Sequence, residues 1–170
     1  VDADGKAKAF TMTWPKDLST TYFLKLELRD GTGGVRSSNF YWLSTSPDKP
    51  GICGDTPKGV FFTKPKSRAD FTLLNTLPPV SLESSSQVEN QGEEQTMTVT
   101  VKNPGTALAF LVQLAVTAGK DGKEIGPSFW EDNYFSVLPG EERVVKVTYA
   151  INDLGGKEAC ARVTGWNIKE

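Results

Sequence analysis

The sequence predicts an all-β protein: an immunoglobulin-like β-sandwich preceded by the last strands of a second, incomplete β-sandwich. Three observations predict it. Apolar residues recur at every second position along most of the 170-residue chain, the period of a half-buried strand. From Val80 onward seven such stretches follow one another, with turn residues about every eight to twelve positions, as in a sandwich. Before Ser44 there are three strand-like stretches, too few to cover both faces of a sheet, and no amphipathic helix of ordinary length competes.

The elements follow in order. Lys6 to Trp14 alternates weakly and reads as a first strand. Tyr22 to Arg29 alternates strongly, with Leu24, Leu26 and Leu28 on one face and Lys25, Glu27 and Arg29 on the other. Asp30-Gly31-Thr32-Gly33-Gly34 then makes a hairpin turn, because glycine reaches positive φ without a steric penalty, and Val35 to Leu43 returns. Between Ser44 and Pro79 the pattern stops: Pro47, Pro50, Pro57, Pro65, Pro78 and Pro79 lie here, so the segment reads as a connection and not a strand array. Its apolar residues, Phe61, Phe62, Phe71, Leu73, Leu74 and Leu77, predict that it is packed down, with a short helical turn near 69–77 capped by Asp70.

After the connection, strands are predicted at Val80–Ser85, Gln95–Lys102, Leu108–Thr117, around Glu124 and Ile125, Tyr134–Leu138, Glu142–Tyr149 and Glu158–Trp166. Gln95–Lys102 places Met97, Val99 and Val101 inward and threonines outward. Leu108–Thr117 is apolar on both faces, which predicts a central strand. Asn103-Pro104-Gly105, Lys120-Asp121-Gly122-Lys123 and Pro139-Gly140-Glu141 are turns. The organisation is then 1–46, the C-terminal strands of a partial sandwich; 47–79, a Pro-rich packed connection; and 80–170, a complete sandwich.

Composition bounds the chemistry. Nineteen basic and twenty-one acidic residues leave a net charge of −2, with no basic face to attract nucleic acid. The apolar runs are too short to span a bilayer, so no membrane is expected. Histidine is absent, which removes the usual general base and the commonest metal ligand. Cys53 and Cys160 can form one disulfide in an oxidising compartment or remain two unpaired thiols. No metal-ligand spacing, phosphate loop or cofactor motif occurs. Neither a catalytic site nor a cofactor is expected.

Three stretches resemble one family. These are Tyr22–Asp30 followed by Ser38-Asn39-Phe40-Tyr41-Trp42-Leu43-Ser44; Ala69-Asp70-Phe71-Thr72 with Leu74, Asn75, Leu77 and Pro78; and Pro127 with Phe129-Trp130, Asp132-Asn133-Tyr134-Phe135 and Leu138-Pro139-Gly140-Glu141. Gly165-Trp166-Asn167 fits as well. They resemble the C-terminal immunoglobulin-like domains of family 2 glycoside hydrolases of the exo-β-D-glucosaminidase and β-mannosidase type. The resemblance implies a parent with a catalytic barrel that carries two glutamates. This chain would be a non-catalytic accessory region, bracing the barrel and partnered by the parent's remaining domains. It also implies secretion or a periplasmic location. Residues Lys49 to Ser67 match no pattern of that family.

Within this frame two groups of residues are candidate contacts. Phe129, Trp130, Asp132, Asn133 and Tyr134 combine aromatic faces with amide and carboxylate groups, the mixture that binds oligosaccharide or packs against another domain; the plainer reading is that they plug one end of the sandwich. Tyr41, Trp42, Phe71 and Leu74 are candidates for inter-domain packing. The adjacent pairs Glu93-Glu94, Glu131-Asp132 and Glu141-Glu142 sit in turns. Neighbours on a strand point to opposite faces, so such pairs are poorly placed to flank a glycosidic bond.

Overall fold

A computed structural model describes residues 3–51, 53–55, 61–63 and 65–169. The protein is all-β, and it divides into two compact units, Val1–Thr76 and Leu77–Glu170.

The first unit is built on a hairpin of β1 (Thr21–Arg29) and β2 (Val35–Ser44). Pairing runs from Thr21 opposite Ser44 to Arg29 opposite Val35. Asp30 shapes the turn: its Oδ1 accepts bonds from the Thr32 N–H, the Thr32 hydroxyl and the Gly34 N–H at 2.7–2.9 Å. Those donors, the Thr32 hydroxyl foremost, hold the Asp30 carboxyl below its ordinary pKa. Gly33, at φ 86°, supplies the left-handed residue that the turn requires. On one face Leu24 sits opposite Tyr41; on the other Phe23 sits opposite Trp42, and Phe23 stacks on Phe40 at 5.6 Å.

The stretch from Lys6 to Trp14 forms no strand, contrary to its alternation. Phe10 is 64% exposed, and Trp14 instead packs edge-on against Tyr22 at 5.6 Å. A two-residue period states which side chains a strand would bury, but the strand forms only where a neighbouring edge offers its N–H and C=O groups.

The Pro-rich segment is folded back on itself. Lys49 and Ser67 form an antiparallel bridge, the Asp48 carboxylate accepts from the Ala69 N–H at 3.0 Å, and the Ser67 hydroxyl donates to Pro47 O at 2.9 Å. Beyond this neck, β3 (Cys53–Asp55) and β4 (Phe61–Thr63) pair as a short ribbon, which the proline content had concealed. The side chains of Cys53, Phe61 and Phe62 lie outside the described residues. Asp70 caps a 3₁₀ turn, Thr72–Thr76, accepting from the Thr72 N–H at 2.9 Å and the Thr72 hydroxyl at 2.7 Å. Both bonds, the hydroxyl's first, lower its pKa. Thr21 donates its buried hydroxyl to Asp70 O at 2.9 Å, tying this turn to β1.

The second unit is the sandwich. One sheet has the order β5 (Glu83–Gln91), β6 (Glu94–Lys102), β10 (Glu142–Ala150), β8 (Ser128–Trp130). The other has β11 (Ala159–Thr164), β7 (Ala109–Ala118), β9 (Phe135–Val137). The expected central strand is indeed β7. Met97, Val99 and Val101 of β6, Val145, Val147 and Tyr149 of β10, and Val112, Leu114 and Val116 of β7 are all almost fully buried. Each such side chain contributes about 1.5–3 kcal/mol of transfer free energy. The threonines of β6 face outward, as the alternation requires.

Not every predicted strand formed as expected: around Glu124 and Ile125 there is only a bridge from Glu124 to Thr117. Val80 is no strand residue: it makes a single parallel bridge to Ile168, and the edge strand begins at Glu83. Ser84, Ser85 and Ser86 therefore lie within β5, whose core-side positions, Ser84, Ser86, Val88 and Asn90, hold a single apolar residue and so gave no apolar period to read. β8 was not anticipated, because three residues after a proline carry no period at all. A bulge between Ala109 and Val112, with Leu111 at φ 48°, interrupts the pairing of β7 with β9. Gly165 lies against this bulge: a Cβ there would meet Leu111 O at 3.1 Å and Val112 Cα at 3.2 Å.

Candidate functional site

The aromatic stretch after Pro127 is held at four points. As β8, it pairs with β10 so that Trp130 sits opposite Val147 and Phe129 opposite Thr148. Val147 is a core residue, so Trp130 turns inward and packs on the core, while Phe129 points out and is 67% exposed. The Glu131 N–H donates to Lys146 O at 3.0 Å, and the Glu131 carboxylate accepts from the Lys146 N–H at 3.2 Å. Asp132 forms an ion pair with Arg143, whose guanidinium lies 5.2 Å from the centre of the Phe135 ring.

Asn133 supplies the fourth point. Its Nδ2 donates to Leu114 O at 2.9 Å and its Oδ1 accepts from the Leu114 N–H at 2.8 Å, as a neighbouring strand would. The same oxygen accepts from the Tyr134 N–H at 2.9 Å. Tyr134 takes φ 56° and leaves its ring 58% exposed. Asp132 and Asn133 thus act on the backbone and on Arg143, and the loop presents two rings, Phe129 and Tyr134. These rise from different sheets: Phe129 from the four-stranded one, Tyr134 at the entry to β9 of the three-stranded one.

The other candidates lie in the first unit. Tyr41 and Trp42 are each 42% exposed, on opposite faces of the hairpin. Leu74 is buried and Phe71 half-buried. Leu28 is 65% exposed, so the apolar row Leu24, Leu26, Leu28 of β1 runs from half-buried to open.

Two of the three carboxylate pairs hold the backbone or an ion pair through at least one member. Glu131 and Asp132 are bound as described. Glu141 accepts from the Leu138 N–H at 3.1 Å across the Pro139-Gly140 turn. Glu93 and Glu94 are exposed beside the β5–β6 turn. Cys160 is half-buried on β11 and forms no disulfide with another described residue.

Sequence reasoning missed two buried amides. Asn167 donates to Pro78 O at 2.7 Å and Leu108 O at 2.8 Å and accepts from the Phe110 N–H at 2.9 Å. Asn103 is fully buried, donating to Ala107 O at 2.8 Å and Val137 O at 2.9 Å and accepting from the Gly105 N–H at 3.0 Å. The Asn-Pro-Gly spacing marked the Gly105 bond as a turn, but nothing local marks the long-range ones.

The family described as the exo-beta-D-glucosaminidase Ig-fold domain matches residues 60–168. The chain is similar to an exo-beta-D-glucosaminidase of Streptomyces avermitilis, with 36% identity over 177 residues, covering 100% of this chain and 19% of the relative. A relative of the same description from Amycolatopsis orientalis is 35% identical over 165 residues, covering 95% of this chain and 16% of its own length. A mannosylglycoprotein endo-beta-mannosidase of Lilium longiflorum is 31% identical over 88 residues, 48% of this chain and 9% of its own. Among solved structures, the Amycolatopsis orientalis exo-chitosanase CsxA superposes with a TM-score of 0.83 at 33% identity, over 95% of this chain and 19% of that one. The chain therefore spans less than a fifth of the length of these relatives.

Proposed function

Because the chain belongs to the exo-β-D-glucosaminidase Ig-fold domain family, we propose that it is a non-catalytic accessory region of a family 2 β-glycosidase and braces that enzyme's catalytic barrel. The parent would release β-linked glucosamine or mannose from oligosaccharides outside the cytoplasm, in the periplasm or the medium. One observation carries the reading. The carboxylates of Glu131, Asp132 and Glu141 are engaged in holding turns and strand ends, so they are not free to act as an acid and a nucleophile about one bond. Exposed Tyr41, Trp42 and Leu28 support a bracing role, since apolar surface left on a hairpin is stabilised by a packed neighbour.

Deleting the stretch equivalent to Leu77–Glu170 from the full-length enzyme tests this. The expected result is a lower melting temperature of the remaining enzyme together with reduced turnover. Unchanged stability and turnover would sink the proposal.

Exposed Phe129 and Tyr134 favour a second reading, direct binding of oligosaccharide, with ring faces stacking on sugar C–H groups. Trp130 packs on the core, so its removal tests folding and not binding. Phe129→Ala and Tyr134→Ala are the informative variants: each should reduce retention on chitosan or mannan at least about threefold, the loss of one exposed stacking contact. Equal retention of both variants and the unaltered chain excludes this reading.

A further inference from the structure

We propose that the outer face of the β11–β7–β9 sheet is a binding platform for a neutral β-linked oligosaccharide, with Trp166 and Tyr134 as its two stacking rings. This platform rests on the oligosaccharide-binding reading and gives Tyr134 a partner ring on its own sheet. Strand register places the residues. Leu114 is a core residue and Val163, its partner, packs on the core. Gln113 and Thr164, paired with each other one step along, therefore point outward. On the other side of β7, Asn133 is bonded to Leu114 and Phe135 pairs with Val112, which sets Tyr134 beside Gln113.

Trp166 completes the row. Its backbone N–H donates to Phe110 O at 3.0 Å just beyond the end of β11, and its ring stands edge-on to Phe110. Phe110 is fully buried yet lies apart from the hydrophobic core of the sandwich. Trp166 thus covers it from the outer side while remaining 53% exposed. The exposed ring of Tyr134 starts two strand spacings away from β11, about 10 Å, near the span of a disaccharide.

The groups between the rings select the occupant. The Gln113 side-chain amide and the Thr164 hydroxyl belong to half-buried residues and bond no other described residue. The amides of Asn103, Asn133 and Asn167, by contrast, are all spent on backbone groups. An amide and a hydroxyl lying between two ring faces can take sugar hydroxyls while sugar C–H groups stack on the rings. A protein interface has the reverse order, an apolar centre inside a polar rim. Charge narrows the choice further. No carboxylate lies between the rings, and Arg162 in the next row is paired with Glu124 at 3.0 Å. A protonated amino sugar finds no free counter-ion there, so a neutral sugar is preferred.

Titrating the full 170-residue chain with β-linked mannohexaose, followed by calorimetry and tryptophan fluorescence, tests this. The glucosamine hexamer at mildly acidic pH is the cationic comparison and should bind more weakly. Trp166→Ala should weaken mannohexaose binding about tenfold, the loss of one stacked ring. Gln113→Ala should weaken it about threefold or more; it breaks no internal side-chain bond, so its melting temperature should match that of the unaltered chain. Tyr134→Asn suits the left-handed backbone at φ 56°, so it should keep the fold and still lose about tenfold in affinity. No binding by the unaltered chain overturns both the platform and the reading it rests on. In that case a lower melting temperature of the full-length enzyme bearing Gln113→Ala would assign the face to a neighbouring domain. Binding that responds to Phe129→Ala and Tyr134→Ala but ignores Trp166→Ala and Gln113→Ala keeps the reading and overturns the platform. Tighter binding of the cationic hexamer overturns the neutral specificity.

Discussion

Replacing Asn167 with alanine is expected to destabilise the Leu77–Glu170 unit by about 3 kcal/mol, because it strands one buried and two partly buried backbone groups at once. The Phe110 N–H loses its acceptor, and Pro78 O and Leu108 O lose their donor. For a domain of this size the loss lowers the melting temperature by more than about 10 °C, readable by calorimetry. Asn167→Asp is the sharper variant. It keeps the acceptor for Phe110 but turns a carboxylate oxygen toward two carbonyls in a site where Asn167 is 8% exposed. It should be at least as destabilising as alanine at neutral pH, since a buried, unpaired charge costs more than a missing bond. An aspartate variant as stable as the parent would mean that the amide does not bridge these three segments.

Phe110→Ala should cost about 3–5 kcal/mol, the range for removing a buried phenylalanine and leaving a cavity. Phe110 is fully buried on β7, with Trp166 edge-on to it at 6.5 Å. Urea unfolding followed by tryptophan fluorescence would show a lower midpoint with an unchanged slope. Phe110→Leu should recover most of the loss, because it keeps most of the volume. The double variant with Asn167→Ala should fall short of the sum of the two, since both act on the same residue of β7. Additivity within about 0.3 kcal/mol would deny that coupling.

These two residues show where the sequence was readable and where it was not. The strands of the core were legible because Met97, Val99 and Val101, or Val145 and Val147, must alternate to meet a second sheet. The family was legible in the Trp130–Tyr134 and Leu138–Glu141 stretches. The candidate site was half legible. The aromatic stretch could be picked out, but β8 was too short to reveal its phase, so Trp130, which β10 turns inward, could not be told from exposed Phe129. Asn167 and Asn103 escaped because their partners lie elsewhere along the chain. A polar residue that binds three distant backbone groups leaves no periodic trace.

The parallel bridge between Val80 and Ile168, beside the Asn167 bonds to Pro78 and Leu108, brings the two ends of the sandwich unit side by side. A short peptide joining them would close the unit into a ring. New ends could then be opened at the exposed Lys120–Asp121 tip with the order of strands in space unchanged. The unit is, in this sense, ready for circular permutation and for insertion into a surface loop of another protein.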